Sequence, residues 1–119
     1  MNDTKRSFKL ITGSVIPVHN CKSVKLSLLR EGRYLGEFPL QAAKKTFTQI
    51  CRVLEIDHSC VLEFSIVETT RSSKSRGKIF TYTGERKMEN IPKEVTKQTK
   101  NGPITYYIKY NNIITSLRE

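Results

Sequence analysis

Apolar residues at Leu40, Ala43, Phe47, Ile50 and Leu54 recur three or four positions apart, with Gln41, Lys44, Lys45, Thr48, Gln49 and Arg52 between them. This spacing predicts one amphipathic helix over 39–54, the only convincing helix of the chain. Pro39 suits its first turn, where a missing N–H costs nothing. The apolar face is expected to cover a sheet and the opposite face to meet solvent.

Elsewhere the period is two. Val24, Leu26 and Leu28 alternate with Lys25 and Ser27, which predicts a half-buried strand over 22–29. Leu62, Phe64 and Ile66 alternate with Glu63 and Ser65 within a strand at 60–69, whose polar face is expected to turn away from an anionic partner. Further strands are expected at 9–11, 33–37, 79–83 and 104–117. The stretch 13–20, with Pro17, reads as a connection, and 71–78 as the basic tip of a hairpin. The lysine-rich stretch 84–102, holding Pro92, reads as a long loop, with Asn101-Gly102 as a turn. The expected fold is α+β: a curved antiparallel sheet or open pseudo-barrel of about five strands with one amphipathic helix, in the order β-β-α-β-β-β.

A length of 119 residues fits a single domain over 1–119. No apolar run approaches the roughly 18 residues of a membrane span, and no signal-peptide core follows the N-terminus. A soluble intracellular protein without a membrane partner is expected. Cys21, Cys51 and Cys60 are odd in number and sparse, so free thiols in a reducing compartment are expected as well.

Charge changes the picture most. Twenty-one Lys and Arg stand against eleven Asp and Glu, a net charge of +10. Residues 1–70 hold ten basic and seven acidic side chains, while residues 71–119 hold eleven and four, so the C-terminal part carries +7 of the excess. Such a balance attracts nucleic acid, anionic lipid or acidic protein. Arg71, Lys74, Arg76 and Lys78 in one loop, Arg86, Lys87, Lys93, Lys97 and Lys100 in the next, and Lys109 on the last strand point to a continuous phosphate track. Arg33 joins this set from the strand before the helix, and Tyr82, Tyr106 and Tyr107 lie among the cations in sequence. Ser72, Ser73 and Ser75 are candidate phosphorylation sites, where added negative charge would repel DNA.

Catalytic signals are sparse. Neither histidine stands in a triad order, no glycine-rich loop has phosphate-loop spacing, and the acidic residues form no paired motif, so a non-enzyme is expected. His19-x-Cys21 and His58-x-Cys60 would supply two imidazoles and two thiols to a metal if their strands were adjacent. The spacing matches no zinc finger, and cysteines more often serve as small buried hydrophobes. No metal or other cofactor is assigned.

Gly36, Pro39, Gln41, Ala42, Ala43 and Lys45, followed by 78–82, Pro92-Lys93 and 104–113, resemble the archaeal chromosomal protein MC1 family and its relatives suspected in large DNA viruses. The resemblance covers about residues 32–117. It implies a monomeric pseudo-barrel with one helix that binds duplex DNA by shape and bends it sharply. Where the family has an arginine after the helix-starting proline, this chain has Leu40. The family's tryptophan-methionine pair before the last strand falls at Gln98-Thr99, and a further tryptophan falls at Glu85, with the lysine after it kept as Arg86.

The combined expectation is a sequence-tolerant architectural protein that bends and compacts double-stranded DNA, preferring bent or crossed duplexes, in a nucleoid, nucleus or virion. The alternatives are an RNA-binding module that stacks bases on exposed tyrosines, and a basic virion-core or protein-interaction protein.

Overall fold

The computed structural model of the chain describes residues 5–21 and 25–117, and the side chains of all of these except 89–93 and 108–109. Its elements are β1 (Arg6–His19), a short 3-10 helix (Leu26–Leu28), β2 (Arg33–Gly36), α1 (Pro39–Val53), β3 (Cys60–Glu68), β4 (Ile79–Thr99) and β5 (Gly102–Ser116). The five strands pair antiparallel in the order β2-β1-β3-β4-β5 and curl into a half-barrel, with α1 against one face. The fold is α+β, with the expected order β-β-α-β-β-β.

The helix starts where its sequence predicts. Phe38 is extended, Pro39 occupies the first turn, and the Gln41 side-chain carbonyl accepts the Glu37 N–H at 2.6 Å. Gly36 lets the entry stay tight, since a Cβ there would lie 3.0 Å from the Ala42 backbone nitrogen. Ala42, Ala43, Phe47, Ile50 and Cys51 are buried on one side of the helix. Thr46 is buried with them, its hydroxyl donating to the Ala42 carbonyl at 2.8 Å.

Against that side pack the inward residues of the sheet. Phe47 stacks on Phe64 and Phe64 on Tyr82, each pair with ring centroids 5.9 Å apart, while Phe8, Leu10, Leu62 and Ile66 complete the core. Gly84 lies directly beneath the Phe47 ring, with no room for a Cβ. The tight fit places even-numbered residues of β3 and the first half of β4 toward the helix and odd-numbered ones on the open face.

Several expectations are corrected. Residues 13–19 continue β1 rather than forming a connection. A bulge between Ile11 and Ile16 lets Val15 reach the core, and the Ser14 hydroxyl seals it by donating to the Ile11 carbonyl at 2.6 Å and accepting from the Ser65 N–H at 2.8 Å. Pro17 sits beside a second irregularity, where a missing ladder donor is tolerated.

The strand expected at 22–29 is not formed in its described part. Leu26–Leu28 is a 3-10 turn in which half-buried Leu26 and buried Leu29 point to the core while Leu28 is exposed, a spacing of three that short alternation imitates. Residues 22–24 lie outside the described residues.

The largest correction concerns 84–102. Rather than a loop, it is the bulk of β4, paired with β5 from Tyr82↔Ser116 to Thr99↔Gly102. A straight 21-residue strand would span roughly 65 Å at about 3.3 Å per residue, yet the molecule extends only 43 × 41 × 26 Å along its principal axes. The strand therefore bends. The irregularity between Met88 and Lys93, where residues 89–92 face a single residue of β5, is the natural place for the bend and accommodates Pro92.

The cysteines are not all free. Cys21 and Cys60 form a disulfide, with Cα atoms 4.7 Å apart, which clamps the segment after β1 to the start of β3. Cys51 alone is a free thiol, buried in the helix face, and burial pushes its pKa up to about 11. It is chemically quiet at neutral pH.

Candidate nucleic-acid interface

The basic loop of residues 71–78 joins β3 to β4 and is rooted by a web of short hydrogen bonds. The Thr69 N–H donates to the Ser7 carbonyl at 2.8 Å, the Ser7 N–H donates to the Thr70 hydroxyl at 2.8 Å, and the Ser7 and Thr69 hydroxyls lie 2.8 Å apart. Beneath them the buried Glu68 carboxylate is gripped by Arg6. That guanidinium, aided by the Thr70 and Ser73 hydroxyls, holds the Glu68 carboxyl below the usual carboxylate range, and the same hydrogen bonding raises Arg6.

On the open face, the β1–β2 register sets Lys9 opposite Arg33 and Ser7 opposite Leu35. Arg71 enters from the loop and Lys5 from the start of the chain, so that four cations surround one cavity of about 520 Å³. Arg33 and Arg71 were expected site residues. Lys5 and Lys9 were not, and no sequence pattern reveals them, because cross-strand register decides their neighbours. Lys74, Arg76 and Lys78 are exposed on the same loop, and Lys78 also stacks over the Phe80 ring at 5.4 Å.

A second basic region lies at the opposite end of β4. Strand β3 pairs with β4 only as far as Arg86, so from Met88 onward β4 and β5 form a two-stranded ribbon that extends past the sheet. Lys97 and Lys100 are exposed on it, as are Ile104, Tyr106 and Tyr107, the last 61% exposed. Lys97 stands opposite Ile104, and Val95 opposite Tyr106. Cations and apolar side chains thus share one ribbon surface. The side chains of Lys93 and Lys109 lie outside the described residues.

No family model, curated protein or solved structure matches this chain. What the site can do therefore rests on its own geometry.

The expected continuous track is interrupted. Its two halves sit at opposite ends of β4, and the open face between them carries Glu63 and Glu85. The polar side of β3 shares this face with Lys9 and Arg33 rather than turning away from it, again through a register the sequence does not display. Lys87 is exposed near the base of the ribbon.

Two expected contact residues belong to the protein interior. Tyr82 is 3% exposed and stacked in the core, so it presents no ring to a base, and burial raises its hydroxyl pKa. Arg86 is partly buried: it donates to the Ile56 carbonyl at 2.8 Å and to the Asn112 side chain at 3.1 Å, and lies 4.4 Å over the Tyr110 ring. These bonds tie the helix exit to β5 and give Arg86 a bracing part.

The histidine-cysteine pattern does bring Cys21 and Cys60 together, but as a disulfide. His58 pairs with Asp57 at 3.2 Å, and among the described residues no three His, Cys, Asp or Glu side chains gather as a metal site.

Proposed function

We propose that this chain is a sequence-tolerant architectural DNA-binding protein that bends and compacts duplex DNA through phosphate contacts. One observation carries the reading: Arg33, Arg71, Lys74, Arg76, Lys78, Lys87, Lys97 and Lys100 are all exposed and none forms an ion pair among the described residues. Cations left to solvent in this number are a source of counterion-release affinity. Their division between the two ends of β4, with carboxylates between, favours two separated runs of phosphates, as a bent duplex or a crossing of two duplexes provides. The segment Gly36 to Lys45, which shapes the helix entry, is also the best part of the MC1 resemblance and agrees with this reading.

The exposed Tyr106 and Tyr107 favour a second reading, base stacking on single-stranded RNA. Competition of single-stranded RNA against linear and four-way-junction duplex DNA separates the two. Displacement by the junction at lower concentration than by RNA is expected; the reverse order selects the RNA reading. The protein acts as a monomer in this proposal and resides with DNA in a nucleoid, nucleus or virion. Of these, a virion suits the Cys21–Cys60 disulfide best, since no reducing thiol pool opposes it there.

A further inference from the structure

Ser72, Ser73 and Ser75 all lie among the cations of the basic loop, and sequence alone ranks none of them: Arg71 and Lys74 neighbour the first, Lys74 and Arg76 the last. The fold separates them. Ser73 and Ser75 are half-buried, and Ser73 is in use, accepting the Ser75 N–H at 3.1 Å and supporting the buried Glu68 carboxylate. Ser72 is exposed, and its hydroxyl makes no hydrogen bond among the described residues.

Of the three, only Ser72 lines the cavity of about 520 Å³, in company with Lys9, Arg33 and Arg71. Arg33 and Arg71 form no ion pair among the described residues, and Lys9 meets Glu31 at 4.0 Å with both groups well exposed to solvent. Lys5 lines the cavity too, but it has a partner of its own and is not needed. The register that sets Lys9 directly opposite Arg33 brings like charges together, an arrangement that favours an anion beside them. Glu68, at the root of the loop, does not oppose one, because Arg6 already neutralises it.

We propose that Ser72 is a phosphorylation site whose phosphate is taken up by the protein's own Arg33 and Arg71, with Lys9 at their side, clasping the loop to β1 and β2 and withdrawing both arginines from DNA. A serine kinase that favours basic neighbours transfers the γ-phosphoryl group of ATP to Ser72 Oγ. The bond to the ADP oxygen breaks, the Oγ–P bond forms, and ADP and the hydroxyl proton leave. The product carries about two negative charges and three acceptor oxygens, and opposite an arginine cluster it gains about one to three charge-assisted hydrogen bonds. Guanidinium forks suit those oxygens. Ser75 lies outside the cavity lining, so a phosphate there adds charge without the clasp. The clasp stands on its own, whereas its consequence for DNA rests on the duplex-binding reading.

Phosphorus NMR of the protein phosphorylated at Ser72, made by genetic encoding of phosphoserine, tests the clasp against a form phosphorylated at Ser75. The phosphate on Ser72 should titrate about one pH unit or more below the roughly 6 of an unpaired phosphoserine, and Arg33→Gln should return it toward that value. The phosphate on Ser75 should be indifferent to Arg33→Gln. In the chain otherwise unaltered, amide chemical shifts of Lys9 and Arg33 should move with phosphate on Ser72 and not on Ser75, a readout independent of whether the variant folds. A midpoint at Ser72 near 6, one indifferent to Arg33→Gln, or unmoved amides would overturn the proposal. Basic-directed serine kinases with ATP should label Ser72 ahead of Ser73 and Ser75 by mass spectrometry; label reaching Ser75 first, or no label, would overturn it as well.

On linear duplex DNA, phosphate on Ser72 should weaken binding at least about tenfold, more than phosphate on Ser75, and flatten the logarithmic salt slope by about 2, for two contacts at about 0.9 each. Equal binding by the unaltered and Ser72-phosphorylated forms would contradict the switch. If neither form binds duplex while the titration shows the clasp, the duplex reading fails and the phosphorylation site remains.

Discussion

Arg6 holds Glu68 with both prongs of its guanidinium: Nε donates to Oε2 at 2.7 Å and Nη2 to Oε1 at 2.5 Å, across the β1–β3 seam. The carboxylate is buried, whereas the arginine keeps some contact with water. The Glu68 backbone also closes the hairpin, its N–H donating to the Lys78 carbonyl at 3.0 Å and its carbonyl accepting from the Gly77 N–H at 2.8 Å. A buried negative charge thus anchors the loop that presents Arg71, Lys74, Arg76 and Lys78.

Replacing that anion with a neutral side chain should loosen the loop's root. Glu68→Gln is expected to cost about 2–3 kcal/mol in urea unfolding, below the roughly 3–5 kcal/mol of a fully buried pair because Arg6 is partly solvated. Since the folded state depresses the Glu68 pKa, its contribution is fully present above the unfolded carboxylate value and is lost as pH falls toward the depressed one. The unaltered protein should therefore lose stability in acid more steeply than Glu68→Gln. Parallel acid profiles would show that the pair contributes nothing.

Beneath the helix, Gly84 is required by the ring of Phe47. Gly84→Ala should destabilise the fold by about 1–3 kcal/mol through overpacking. Gly13→Ala, where an added Cβ meets open space, should stay within about 0.5 kcal/mol of the unaltered protein. Thermal or denaturant unfolding of the two variants side by side checks both expectations.

The disulfide closes a loop with a sequence separation of 39 residues. Chain-entropy arguments put its stabilisation at about 2–4 kcal/mol. Reduction, or the paired substitution Cys21→Ser and Cys60→Ser, should lower the denaturant midpoint accordingly, while Cys51 stays unreactive to alkylating agents until the protein unfolds.

The helix and β3 were legible because one face of each is buried, so apolar period and element period coincide. Pro39 marked the helix entry for a different reason, since its missing N–H costs nothing in a first turn. Outside the core this legibility failed. Residues 84–102 read as a loop because the ribbon lacks a buried face to impose alternation, and Pro92 read as a breaker where a bulge absorbs it. Of the candidate site, the cations themselves were visible in sequence. Their grouping was not: Lys9 meets Arg33, and Glu63 and Glu85 interrupt the track, only through strand register. Tyr82 looked available because an aromatic strand residue carries no local sign of which face it takes.

The most direct test of the central claim is the salt dependence of binding to linear, minicircular and four-way-junction duplex DNA, measured for the unaltered protein and for Lys74→Gln, Arg76→Gln and Lys78→Gln combined. Affinity should fall steeply with salt, vary little with sequence, and favour the minicircle and junction over the linear duplex. The triple substitution should flatten the logarithmic slope by about 2–3, at about 0.9 per phosphate contact, without changing the unfolding midpoint. Binding that persists unchanged in high salt, or a slope indifferent to the three substitutions, would contradict the account.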